Sequence, residues 1–228
     1  LSAALAFTAL EIICGAYADA QQIIVDEVVA EIDNEAVTYS EVLRFWRLER
    51  LIEADGDWRK TPAKGELGKT VVKYVNRLAL LQDMDRMQAE AQEGKEKDKA
   101  EKAFDAAFKS GAELELFLSI TSYSKDEAVR TILRQRLLGA FLERRASFYV
   151  SVTDGEAEEE AAKAAKKESV SAEEWRALVE SMRTKLSRKK FETFMNEWLK
   201  ELYRRRSVNF VAKWVIDPFS GAAEYKLF

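Results

Sequence analysis

Hydrophobic positions recur at three- and four-residue steps through most of this chain and run together as strand-like pieces only near its two ends. Val28-Val29-Ala30-Glu31-Ile32 and Val208-Asn209-Phe210-Val211 read as strands, and the periodic segments between them read as helices. Strand backbones need hydrogen-bond partners, and no other stretch offers a comparable strand signal. The two are therefore expected to pair, Val28–Ile32 with Val208–Val211, closing a mainly α fold with a small sheet of its first and last strands.

Four helix starts carry one device. Thr38-Tyr-Ser-Glu41, Ser124-Lys-Asp-Glu127, Thr153-Asp-Gly-Glu156 and Ser171-Ala-Glu-Glu174 are capping boxes, in which hydroxyl and glutamate each satisfy a free backbone N–H. The pattern predicts a turn at Asp33-Asn34-Glu35, a helix over about 39–54 and a polar loop from Asp55-Gly56 to Gly65. Helices follow over about 66–92, 112–121, 125–147 and 172–205. Residues from Gly94 to Lys102 read as a charged joint leading into a helix that ends near Lys109, and 148–152 as an extended joint. Gly155 to Glu168 is nearly all Ala, Glu and Lys, with strong helix propensity and little to bury. It is expected to project into solvent, with Glu159 and Lys163 paired one turn apart. The last helix carries two apolar stripes. Trp175, Leu178, Val179, Met182 and Leu186 form one; Phe191, Phe194, Met195, Trp198, Leu199 and Leu202 form the other, on nearly the opposite face. Either the helix kinks near Ser187 to Lys190, or its halves pack against different bodies.

The chain has 228 residues, a net charge of −4, 9 Gly and 2 Pro, which favours long helices and gives no electrostatic footprint for nucleic acid. Residues 1–20 stand apart: a run from Leu1 to Cys14, apolar apart from Ser2, Thr8 and the charged Glu11, closes on Ala18-Asp19-Ala20, an A-x-A cleavage pattern. The run is short for a bilayer span, and it lacks a positive n-region, which suggests a truncated start. The expectation is a signal peptide over 1–20, export, and one domain over 21–228 with no stable membrane insertion after cleavage. Cys14 is the only cysteine, so cleavage after Ala20 leaves no thiol.

Three stretches resemble the SurA-type periplasmic chaperones. Ile24 to Val42 is similar to that family's opening strand, tight turn and capped first helix. Leu133 to Arg145, followed by Val150-Ser-Val-Thr-Asp-Gly-Glu156, resembles the long helix, short strand and V-T-D-x-E joint that close its N-terminal helical region. Leu186 to Trp214 resembles its last helix and return strand. The middle, about 55–125, matches in helical pattern only. The family's joint usually leads into parvulin-type prolyl isomerase domains. Here Ala157 to Val170 leaves no room for one, and the histidines of a parvulin site are missing. The resemblance implies an ATP-independent periplasmic holder of unfolded or nascent outer-membrane polypeptides.

Zero histidine excludes a Ser-His-Asp triad and His-ligated zinc. Gly65-Glu-Leu-Gly68-Lys69-Thr70 has the wrong spacing for a phosphate loop and no strand before it. The basic runs at 188–190 and 204–206 sit among glutamates and suit solvated helix faces. No enzyme activity and no cofactor are expected. What remains is aromatic and apolar: Trp46, Trp58, Phe117 and Phe141 are the candidates for a substrate-binding crevice, against the plainer alternative that all four are core. A scaffold that recognises one folded partner is the competing function. Client breadth separates the two, because a holder binds many unfolded chains weakly.

Overall fold

The computed structural model describes residues 26–53, 56–87, 93–165 and 171–219. The expected signal segment lies outside them. Strand β1 (Val28–Ile32) runs into β2 (Glu35–Thr38) through a two-residue turn. Asp33 and Asn34 both have positive φ, 50° and 67°, as a hairpin turn with right-handed strand twist demands. Asp and Asn tolerate that region better than other non-glycine residues. Strand β3 (Val208–Phe210) pairs with the other edge of β1, Ile32 opposite Val208 and Ala30 opposite Phe210, giving the antiparallel order β2-β1-β3. The pairing of first and last strands is as expected; β2 is an addition to it.

Seven helices are present among the described residues: α1 (Tyr39–Ile52), α2 (Lys64–Arg86), α3 (Glu93–Ala106), α4 (Gly111–Thr121), α5 (Lys125–Ser147), α6 (Asp154–Ala164) and α7 (Ala172–Arg205). All four capping boxes form, at Thr38, Ser124, Thr153 and Ser171. Each contributes about 1 kcal/mol to its helix. Ser110 caps α4 without the return bond, because Glu113 instead accepts from the Lys109 N–H at 2.8 Å.

Two apolar clusters hold the chain. The first joins the sheet to α2, the end of α5 and the C-terminal half of α7, around Ile32, Val71, Val75, Leu80, Met195, Trp198 and Leu202. After β3 the chain returns to this cluster: Trp214 O lies 3.2 Å from where a Cβ on Gly68 would sit, so a side chain there would press on that backbone. The second cluster joins the end of α1, Trp58, α3, α4 and the start of α5, around Phe104, Phe117, Ala128 and Ile132. Leu137 of α5 packs against both.

Two expectations need correction. The charged stretch 94–102 is no joint: it forms the first turns of α3, with Ala100 and Phe104 fully buried. Its charges support helix, Lys99 pairing Glu96 at 2.5 Å, and Arg136 of α5 reaches Glu96 at 2.8 Å. The Ala/Glu/Lys segment does not project either. As α6 it packs along α7, burying Ala157 and Ala161 completely. Lys190 bonds Glu156 at 2.7 Å and Ser151 O at 2.6 Å, and Arg183 bonds Asp154 at 2.6 Å. The expected Glu159–Lys163 pair is present at 2.8 Å. Helix α7 is continuous from Ala172 to Arg205, and its halves meet different bodies, α6 along the first and the main core along the second.

Candidate functional site

A cleft of about 890 Å³ opens between α1, α2 and α5. The capping box at Thr38 sets the start of α1, so Phe45, Trp46, Glu49, Arg50 and Glu53 follow on one side of that helix and form one wall. Helix α2 supplies the floor through Val72, Asn76, Arg77 and Leu80, with Glu66, Lys69 and Lys73 toward the mouth. Helix α5 closes the third side with Gln135, Leu138, Gly139 and Leu142. The interior is mainly aliphatic and aromatic, with Asn76 and Arg77 among its buried polar exceptions, and the other charges stand at its edge.

Those charges form a linked rim. Glu66 accepts from Trp46 Nε1 at 3.1 Å and from Arg50 Nη2 at 2.6 Å, while Arg50 Nη1 reaches Glu53 at 3.0 Å. The Arg50 hydrogen bond holds the Glu66 carboxyl below its ordinary value, and the same bond pushes the guanidinium up. Lys73 pairs with Glu49 at 2.8 Å. Exposed ion pairs of this kind stabilise by about 0–1 kcal/mol each, so their effect is chiefly geometric. They fix the indole of Trp46, over which Arg50 also lies at 5.5 Å. Lys69, at the mouth, has no ion pair among the described residues.

Arg77 is different in kind. It is 7 % exposed, in the middle of α2, with its guanidinium 5.0 Å from the Phe45 ring centroid. Nη2 donates to Thr131 O of α5 at 2.6 Å. Nε and Nη1 are buried and meet no acceptor among the described residues. Burial lowers the pKa from its ordinary value, with Glu49 opposing that shift. The neighbouring Asn76 accepts from Tyr203 Oη at 2.5 Å through Oδ1, and its Nδ2 also finds no acceptor. A buried unsatisfied donor costs about 1–3 kcal/mol, more when charged, so the α2 wall carries an unmet demand for acceptors.

The four sequence candidates separate. Trp46 stands in the cleft wall, largely buried. Phe141 is half-buried in the first cluster, 5.9 Å from the Trp198 ring, and its neighbours Leu138 and Leu142 line the cleft in its place. Trp58 and Phe117 are not crevice residues. They are 3 % and 0 % exposed and meet edge to face at 5.2 Å in the second core. The polar loop around Trp58 hides this, because Trp58 turns in while Asp57, Arg59 and Lys60 stay out. Sequence reasoning missed Asn76 and Arg77. Their signal was legible: a polar pair between Val75 and Ala79, in the middle of an apolar helix.

A second, shallower cleft of about 600 Å³ lies between the end of α5 and α7, lined by Ala146, Val150, Ser187 and Phe191 among others. Beside it Phe148 is 79 % exposed, and Tyr149 stacks on Phe194 at 5.2 Å. Among the described residues no cluster of three or more metal-type side chains occurs, and no helix is long and apolar enough to cross a membrane. Compared with protein families, with characterised proteins and with solved structures, the chain matches none.

Proposed function

We propose that this protein is a periplasmic, ATP-independent holder of unfolded or nascent outer-membrane polypeptides, acting by shielding apolar segments without chemistry. The observation that carries this reading is the α1–α2–α5 cleft. It is large enough for several side chains, apolar inside through Phe45, Val72, Leu80, Leu138 and Leu142, and edged by fixed charges that keep its mouth wetted. Adaptable apolar surface with a few polar anchors suits extended chains of varied sequence. The exposed Phe148 and its neighbour Tyr149 favour a second reading, a scaffold that docks one folded partner there.

The deciding experiment is suppression of aggregation. Several unrelated unfolded proteins are diluted from denaturant with and without the full chain, and light scattering is followed. Suppression of most of them, weakened by Trp46→Ala or Leu138→Ser, supports the holder. Tight binding to one partner with no suppression supports the scaffold. A protease-coupled proline isomerisation assay should match the uncatalysed rate, and acceleration would overturn the non-enzymatic part. Export should leave Gln21 as the N-terminus.

A further inference from the structure

Four cations and three carboxylates line the α1–α2–α5 cleft, and their pairing is uneven. Glu49, Glu53 and Glu66 are engaged by Lys73 and Arg50. Lys69 and Arg77 form no ion pair with a carboxylate among the described residues, although Glu49 acts on Arg77 at longer range. Arg77 is the more telling of the two, since it is buried with two nitrogens lacking acceptors. A guanidinium in that state selects an anion, above all a carboxylate, which accepts charge-assisted hydrogen bonds.

We infer that the cleft recognises the free C-terminal carboxylate of an apolar polypeptide end, with Arg77 as the anion-binding residue. This deepens the proposed holding function and rests on it. Phe45, Leu138 and Leu142 take the last apolar side chains. The unsatisfied Nδ2 of Asn76 distinguishes a peptide from a plain acyl acid: beyond its carboxylate, a peptide end brings backbone carbonyls as further acceptors. Nε and Nη1 of Arg77 are out of contact with solvent, so binding has to displace a covering side chain. The rim carboxylates disfavour an acidic residue near the chain end.

The test uses the full chain and a fluorescein-labelled hexapeptide ending in Leu-Phe, as the free acid and as the C-terminal amide, with anisotropy as readout. One charge-assisted hydrogen bond corresponds to roughly tenfold or more in affinity, so the amide should bind at least about tenfold more weakly. Arg77→Gln should reduce that ratio to below about twofold by weakening the acid alone, while Trp46→Ala should weaken acid and amide alike. Equal binding of acid and amide by the unaltered protein would overturn the inference while leaving the holding function standing; this comparison needs no variant to fold. Failure of both peptides would overturn it too, with the aggregation assay deciding the holding function separately. Decanoate binding as tightly as the peptide acid would overturn the polypeptide source in favour of an acyl acid.

Discussion

Trp198→Ala is the sharpest test of how this fold is held together. Trp198 is 7 % exposed and lies in the first cluster, its ring flanked by Phe194 at 5.6 Å and Phe141 at 5.9 Å, with the Arg145 guanidinium at 4.5 Å. Truncating a buried tryptophan costs about 3–5 kcal/mol in lost burial and residual cavity. A second loss comes from its indole, which donates to Asp83 Oδ2 at 3.2 Å. Asp83 is itself buried, and its remaining cationic neighbour, Arg205, is 4.0 Å away. Losing that bond adds about 1–3 kcal/mol. The expected total, about 4–8 kcal/mol, is comparable with the whole stability of many domains. Trp198→Phe keeps most of the ring and loses the bond, so it should cost about 2 kcal/mol. The assay is urea unfolding followed by far-UV circular dichroism and by fluorescence of the remaining tryptophans. Because Leu137 joins the two clusters, both probes should shift together. If Trp198→Ala melts the α7 region while the environment of Trp58 keeps its original midpoint, the two clusters are independent and the closed-fold reasoning fails.

Other outcomes follow from single contacts. Lys190, and then the Thr153 N–H, hold the Glu156 carboxyl down at about 2. A depressed folded-state value adds stability above the ordinary glutamate range, lost as pH falls through about 2. Amide protection in α6, taken relative to the intrinsic exchange rate at each pH, should therefore fall between about pH 4.5 and pH 2, and Glu156→Gln should flatten that change; an unchanged profile would remove the Glu156–Lys190 pair as its cause. Phe117→Ala should destabilise by about 3–5 kcal/mol while leaving peptide affinity in the folded protein unaltered, since Phe117 belongs to the second core and not to the cleft. A selective loss of affinity at unchanged stability would return Phe117 to the binding surface.

Much of the architecture was written locally. The four capping boxes fix helix starts through atoms three residues apart, so sequence alone placed Thr38, Ser124, Thr153 and Ser171 correctly. The three-four periodicity likewise gave α1, α4, α5 and α7, and the two end strands gave the sheet's long-range pairing. Strand β2 was missed because Glu35-Ala-Val-Thr38 carries weak strand character and the capping box overlaps it; only pairing with β1 makes it a strand. Helix α6 looked unburied because its contact stripe is Ala157 and Ala161, whose small size marks no apolar face but allows close approach to α7. The site depended most on tertiary structure. Periodicity says that a residue faces inward, and both Trp46 and Trp58 do; it cannot say whether inward means a cleft or a filled core. That choice belongs to packing: α1, α2 and α5 leave space beside Trp46, while Phe117 is fully buried among α3, α4 and the start of α5. The unsatisfied donors of Arg77 are tertiary for the same reason, since a buried guanidinium lacks acceptors only once three helices have decided what surrounds it.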